Sequence, residues 1–509
     1  MTGVPVRLSE PTGRWVLLAT VLGSGVALLD STVVNVALPS IARDLGSSMS
    51  GLQWTVNAYT LTLSGFILLG GSLGDRYGRR RVFVIGVIWF ALASALCGAA
   101  QSIPELVAAR ALQGVGGALL TPGSLAIIQA SFAPADRARA IGAWSGLGGV
   151  AAAAGPFLGG WLVSAAGWRW VFLLNLPLAA VVVLVAVRHV PETRDALAAK
   201  RAGRHGRFDV LGATLAALTL AGVTYALTEA PAGQASRALI AAAALLGLAA
   251  GAGFVLVERR RSAGRGPRPM LPLDVFRSRQ FSAVNTVTFV VYAGMGVQFF
   301  LLVQQLQVVS GFSPVAAGTA LLPVTLLLLL LSARSGALAQ RIGPRRPMTL
   351  GLFAAAAGML LLTRVGADAS YPRDVLPAVV LFALGLAGVV APLTATVLAT
   401  ADVRHAGIAS GVNNMVARAG GLLAVAAIPS LAGLTGAAYT DPTVFTTGFR
   451  TSMTVAATLL VAGAALTWCT IRDDVLQEAP EETEPRCRTH CAVSAPPLEP
   501  PHRPPPQHR

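Results

Sequence analysis

Charge is scarce in this chain. Asp, Glu, Lys and Arg together make up 12% of its 509 residues, against roughly 25% in a soluble protein. Lysine occurs once, at Lys200. With 54% hydrophobic residues and a mean hydropathy of +0.65, such a chain would not stay dispersed in water, so it reads as an integral membrane protein. Cysteine is too rare and scattered for a disulfide framework: Cys97 and Cys469 fall in apolar runs, Cys487 and Cys491 in a polar tail. There is no G-x-x-x-x-G-K-[ST] phosphate loop and no H-E-x-x-H zinc pair, which argues against an ATP-driven pump or a membrane metalloenzyme. The six histidines fall in loops, at the edges of apolar runs or in the tail. Residues 1–14 carry no cleavage signal, so the first apolar run is expected to remain as a spanning helix.

Long apolar runs are what the chain has instead. Runs near the roughly 20 residues that cross a bilayer as a helix number about fourteen. They lie at about 15–39, 52–74, 82–101, 104–130, 139–165, 168–189, 209–229, 237–257, 281–309, 314–340, 347–365, 374–400, 405–433 and 447–470. Glycine and proline inside them are no objection, because membrane helices tolerate both. The formal net charge is +16, and the basic residues collect in alternate gaps between runs. One gap holds Arg76, Arg79, Arg80 and Arg81; another holds Arg137 and Arg139. Arg194, Lys200, Arg201, Arg204 and Arg207 follow, then Arg259 to Arg261, Arg265, Arg268, Arg277 and Arg279, then Arg341, Arg345 and Arg346. The intervening gaps hold only singles such as Arg43, Arg169 and Arg373. Basic loops stay on the cytoplasmic side. The alternation therefore predicts an even number of spans with both termini cytoplasmic, and it explains the charge without a nucleic-acid partner.

The stretch GSLGDRYGRRR, from Gly71 to Arg81, anchors that assignment. A hinge carrying Asp75 and four arginines cannot remain in hydrocarbon. The pattern G-x-L-G-D-R-x-G-R-R resembles the loop between helices two and three of the major facilitator superfamily of transporters. The resemblance implies a cytoplasmic gate built from Gly71, Asp75, Arg76, Gly78, Arg79 and Arg80. Its acid would cap or pair across the two halves of the carrier, with Arg76, Arg79, Arg137 or Arg139 as available partners. A related stretch, GALAQRIGPRR, begins at Gly336, 265 residues after Gly71. Both copies fall on the same side, so the halves are parallel repeats, with the substrate site expected between them near the midplane.

Asp30 is the sharpest single residue. It lies deep in the first run, in LLDSTVVNVALPS, where a carboxylate costs roughly 2.5–3.5 kcal/mol on insertion scales. An intramembrane acid is a functional-site hypothesis by default, here proton exchange. LDSTVVNVALP also resembles the first-helix motif of the fourteen-helix, EmrB/QacA-like drug/proton antiporters, whose matching acid is linked to coupling or to cationic drug binding. Arg110 is its expected companion, in a pattern R-x-x-Q-G-x-G that resembles a superfamily motif assisting proton transfer; Gln113 follows on the same helix face. In the second half, Leu381 and Gln340 stand where Arg110 and Asp75 stand in the first, so proton work is assigned to the first half.

The stretch 146–162, GLGGVAAAAGPFLGGWL, supplies small faces for close helix approach. Pro156 removes a backbone donor and kinks the helix. Gly155, Pro156, Gly159 and Gly160 resemble the fifth-helix motif associated with antiporters, which favours export over uptake. Arg418 in GVNNMVARAGG is another deep cation. Asn35, Asn57, Gln113, Gln298, Gln305 and Arg418 are the candidates for lining a substrate cavity; Gln298 and Gln305 are seven residues apart and so share a helix face.

The fold expected is all-α integral membrane, a major facilitator fold of two six-helix halves with two extra helices between them. Residues 1–14 form a cytoplasmic N-terminus, 15–189 the first half, 190–280 a linker segment with the extra pair, and 281–470 the second half. The Pro-rich segment 471–509 is expected to be a disordered tail; Cys487, His490 and Cys491 lack a fourth ligand and are not read as a metal site. The function expected is proton-coupled export of hydrophobic or cationic drugs by alternating access, with export of an endogenous or self-made natural product as the alternative. The protein would be a monomer in a bacterial plasma membrane, with a small-molecule substrate, the lipid bilayer as its surroundings, the proton as coupling ion, and neither cofactor nor metal.

Overall fold

The computed structural model describes residues 6–193, 210–233, 235–262, 271, 273–400, 406–436 and 441–476. Among these residues the chain is helical, with one isolated backbone bridge between Val6 and Phe132 and no strand. The first half contains α1 (Pro11–Leu45), α2 (Met49–Tyr77), α3 (Arg79–Ala99), α4 (Ile103–Ser131), α5 (Pro134–Ala166) and α6 (Arg169–His189). The pair α7 (Val210–Ala232) and α8 (Arg237–Ser262) follows. The second half contains α9 (Arg279–Val309), α10 (Pro314–Ile342), α11 (Arg345–Leu362), α12 (Tyr371–Ala399), α13 (Ala406–Leu431) and α14 (Pro442–Thr470).

Twelve of these helices are long and apolar enough to cross a membrane. The two others are α2, bent by 49° between Ile67 and Leu69, and α11, only 18 residues long and opening on two arginines. The helices overrun the expected apolar runs, reaching Pro11 and Leu45 where 15–39 was expected. Apolar patterning marks the part that sits in hydrocarbon; hydrogen-bonded turns continue past it into polar sequence. The starts follow capping chemistry. Ser48, Ser102, Ser278 and Ser313 accept from backbone N–H groups at Gly51, Glu105, Phe281 and Ala316, and Asp441 accepts from Thr443 and Val444. Pro11, Pro134, Pro314 and Pro442 begin helices, where a missing N–H costs nothing.

Two ends of the bundle can be told apart. One carries the arginines of the α2–α3, α4–α5 and α10–α11 turns and is called here the arginine-rich end. The repeat is visible there in the backbone. Gly78 and Gly343, 265 residues apart, end α2 and α10 with φ of +112° and +85°, a region that glycine alone enters cheaply. Each glycine also meets an acid placed three residues after the last helix of its half: Glu192 against Gly78 and Asp473 against Gly343. Glu192 accepts from Arg80 N and Arg81 N, both at 3.2 Å, so it caps α3 from outside.

Two boundary expectations change. Residues 6–10 are not a free terminus, since Val6 N donates to Ser131 O at 2.8 Å and Leu8 N to Asp136 at 3.0 Å. Residues 471–476 continue the packed body: Ile471 is buried and Asp473–Leu476 forms a short 3-10 turn. The rest of the expected tail, with Cys487, His490 and Cys491, lies outside the described residues, as do the basic residues from 194 to 207.

The extra pair is not a detached insert. α7 packs against both α2 and α13, one from each half. Trp54 Nε1 donates to Glu229 Oε1 at 2.7 Å, and Gly65 meets Ala217.

Candidate functional site

Asp30 and Arg110 meet. Arg110 Nη1 lies 2.6 Å from Asp30 Oδ2, and neither side chain is more than 1% exposed. The pair joins the middle of α1 to α4, and it is fully enclosed by donors and acceptors from four further positions. Gln113 Nε2 donates to Asp30 Oδ1 at 2.8 Å, and Asn175 Nδ2 donates to the same oxygen at 2.9 Å. Arg110 Nε donates to the Thr55 carbonyl of α2 at 3.0 Å, and its Nη1 also reaches Gln113 Oε1 at 2.6 Å. Ser94 of α3 accepts from Gln113 and Asn175 and donates to the Phe172 carbonyl. The Tyr59 ring lies 4.3 Å from the Arg110 guanidinium carbon, close enough for a cation–π contact. Five of the six helices of the first half thus converge on one carboxylate.

The chemistry follows from the bonding. A buried charge is tolerated only when paired and hydrogen-bonded. Both Asp30 oxygens are occupied by donors. A proton on either oxygen competes with those donors, which belong to two other helices, Arg110 and Gln113 to α4 and Asn175 to α6. Protonation at this point is therefore mechanically tied to helix position. Asn175, Ser94 and Thr55 were not singled out from the sequence. Asn175 did leave a signal, a lone amide in the otherwise apolar FLLNLPLAA.

The gate motif is engaged within its own half. Arg79 holds Asp75 through Nε at 2.9 Å and Nη2 at 2.8 Å, an i,i+4 pair with the carboxylate side chain 43% exposed. Arg137 turns instead to the Phe132 carbonyl at 3.0 Å. Arg80 lies near Glu192, Arg76 lies over the Tyr77 ring, and Gly71 packs against Pro122.

The glycines of α5 work as contact surfaces. Added Cβ atoms at Gly155 and Gly159 would strike Thr32 and Val33 of α1. One at Gly160 would strike Pro314 and Val315 at the start of α10, and Gly318 sits on the Pro156 carbonyl. This motif therefore joins the two halves as well as packing α1. Further cross-half links are Gln53 Nε2 to Val425 O at 2.8 Å and Gln307 Nε2 to Val36 O at 3.0 Å. These contacts lie toward the end opposite the arginine-rich one.

The cavity candidates divide. Gln113 belongs to the Asp30 cluster. Gln305 is tied inside the second half, its Nε2 bonded to the Val365 carbonyl at 3.2 Å and Thr446 at 3.3 Å. The helix is regular through Gln304 and the Gln305 N–H still bonds the Leu301 carbonyl, so Gln298 and Gln305 keep the seven-residue spacing of one face; the π-helical segment Gln305–Val309 begins only there. Gln298 and Asn57 are buried with no side-chain hydrogen bond. Asn35 is half-buried and returns its amide to Ser31 O at 3.3 Å. Arg418 lies mid-helix in α13, half-buried, within electrostatic range of Tyr59 and Tyr292. Among the described residues no group of His, Cys, Asp and Glu could hold a metal ion.

Comparison with known proteins agrees with this architecture. The family model described as Major Facilitator Superfamily matches residues 20–425. The puromycin resistance protein pur8 of Streptomyces alboniger is 37% identical over 506 residues, 95% of this chain and 97% of that protein. The tetracenomycin C resistance and export protein of Streptomyces glaucescens is 36% identical, covering 81% and 74%. The multidrug resistance protein Stp of Mycobacterium tuberculosis is 35% identical, covering 82% and 75%. Among solved structures, a bacterial homologue of the human lysosomal transporter Spinster superposes with a TM-score of 0.62 at 18% identity, over 91% of this chain and 97% of that one.

Proposed function

The chain belongs to the major facilitator superfamily, and on that premise we propose that it exports hydrophobic drugs or antibiotics in exchange for protons by alternating access. It is a transporter, not an enzyme, and its relatives are drug and antibiotic resistance and export proteins. The observation that carries the coupling assignment is the sealed cluster of Asp30, Arg110, Gln113 and Asn175. Asp30 has no exposed surface, so its role is to take a proton rather than to touch the compound. A proton arriving there displaces Arg110, which keeps the Thr55 carbonyl and the Tyr59 ring as partners. α1, α2 and α4 then lose their common tie, and the first half can change its packing, which is how protonation bears on the rocking of the halves. A hundred millivolts supplies about 2.3 kcal/mol for each charge moved.

The bent α2 and the short α11 are also assigned as spans, giving fourteen. Alternating basic loops support assigning the arginine-rich end and both termini to the cytoplasmic side of a bacterial plasma membrane. The cross-half contacts of Gln53, Gln307 and Gly160 then lie on the outer side, while Asp75 is held within its own half. This supports a state closed outside and open to the cytoplasm. A second reading, dedicated export of a self-made natural product, is favoured by relatives such as the probable actinorhodin transporter of Streptomyces coelicolor, 36% identical over 429 residues.

The test is proton release from energised inside-out vesicles on addition of lipophilic compounds, comparing wild type with Asp30→Asn. Release in the wild type alone is expected. Equal release in both would remove Asp30 from the coupling step.

A further inference from the structure

The positive charge of Arg110 is matched by Asp30. That of Arg418 is not matched. Arg418 is the thirteenth of the 26 residues of α13, so it lies about as deep in the bundle as Asp30. Among the described residues no carboxylate forms an ion pair with it, and its Nε is buried without a hydrogen-bond partner. A cation this deep ordinarily finds an acid or a carbonyl. Because the chain uses arginine almost to the exclusion of lysine, the choice of arginine carries no weight here; the missing partner does.

The surroundings suit an anion between the halves. Tyr59, from α2 in the first half, and Tyr292, from α9 in the second, are the groups close enough to interact with Arg418 electrostatically. Gln53 faces α13 through its bond to Val425. Asn57 is one turn further along the same face of α2, with neither its side-chain oxygen nor its nitrogen bonded. Gly296 of α9 meets Gly421 of α13 backbone to backbone one turn from Arg418. α2, α9 and α13 therefore meet around one free guanidinium, two tyrosines and one free amide.

We propose that Arg418, where α2, α9 and α13 meet, is the recognition point for an acidic group, a carboxylate or an ionised phenol, on the compound this protein exports. The proposal rests on the export reading and narrows it, from hydrophobic drugs or antibiotics to hydrophobic acids. A guanidinium can hold a carboxylate through two parallel hydrogen bonds, and the surplus positive charge disfavours a lipophilic cation. Tyr59 also lies against Arg110. An anion on Arg418 therefore lies within electrostatic range of the residue that touches the Asp30 pair, which links substrate and proton sites.

The experiment is a fluorescence titration of the full-length protein in lipid nanodiscs. The probes are 7-diethylaminocoumarin-3-carboxylate and its uncharged ethyl ester. Wild type is expected to bind the acid about tenfold or more tightly than the ester, the size of a charge-assisted hydrogen bond. Arg418→Gln is expected to lower acid affinity to that of the ester and leave ester affinity unchanged, which also shows that the variant is folded. Arg418→Lys is expected to retain part of the preference. A wild type with no preference for the acid, or an Arg418→Gln variant that weakens both probes equally, would overturn the proposal. Movement of the ester by vesicles tests the export reading separately, since binding preference does not depend on turnover.

Discussion

Arg110 Nη1 closes on Asp30 Oδ2 at 2.6 Å in the middle of the first half, and neither side chain is more than 1% exposed. The relationship is asymmetric in its consequences. Removing one partner strands the other as a buried charge, which costs about 3–5 kcal/mol, whereas removing both is often close to neutral. Arg110→Gln should therefore lower the melting temperature of the detergent-solubilised protein markedly. The double variant Asp30→Asn with Arg110→Gln should recover most of that loss and still fail to couple protons. Thermal melting of the four proteins checks this. A double variant no more stable than Arg110→Gln alone would mean that the pair does not carry its charge in the folded state.

Much of that cluster was legible because charge is conspicuous in an apolar run. Asp30, Arg110 and Gln113 stood out for that reason, although nothing in the sequence said that they touch. Asn175 and Ser94 did not stand out, since uncharged polar residues are common in membrane helices and most of them bond their own backbone, as Thr20, Thr60 and Thr288 do. Gln305 shows a different limit. Helical spacing puts it on one face with Gln298, but spacing does not say that its amide is bonded to the Val365 carbonyl and Thr446 inside the second half. The parallel repeat was legible in the loops, where Gly78 and Gly343 keep the same backbone role. In the helices it was legible only through glycine spacing, which sets Leu381 in the place of Arg110; elsewhere their apolar residues are interchangeable at similar volume.

Gly78 and Gly343 should be intolerant of any side chain for two separate reasons. Each has positive φ, and each has a carboxylate, Glu192 or Asp473, where a Cβ would go. A non-glycine residue held in such a region costs about 1–3 kcal/mol. Gly78→Ala and Gly343→Ala should each reduce thermal stability. Glu192→Ala should relieve the crowding at Gly78→Ala only in part, because the backbone strain stays and the cap on α3 is lost. Full recovery in that double variant would show that crowding alone matters.

The tie between Trp54 and Glu229 should hold the extra helix pair against the first half. Its 2.7 Å hydrogen bond has a carboxylate acceptor, a type worth about 1.5–3 kcal/mol. Trp54→Phe should therefore speed backbone hydrogen exchange in α7, while exchange around Asp30 stays as in the wild type. Unchanged exchange in α7 would mean that helix packing, such as Gly65 on Ala217, holds the pair without the bond.

Alternating access requires the contact between Gln53 of α2 and the last turns of α13 to break once in each cycle. Gln53 Nε2 reaches Val425 O at 2.8 Å and Ser430 Oγ at 3.5 Å, so these two side chains are adjacent in this state. With the native cysteines replaced, Gln53→Cys and Ser430→Cys should be joined by a short, reducible bis-thiol reagent. The joined protein should lose transport to below about a tenth of its activity if the halves must separate here, and reduction should restore it. Either single cysteine treated alike should remain active. A cysteine placed at Asp75 should still react with a water-soluble maleimide while the lock is closed, because the lock holds the opposite end of the bundle. Transport that survives the lock would show that α2 and α13 stay together through the cycle, and the moving contact would then have to be sought at Gly160 and Val315.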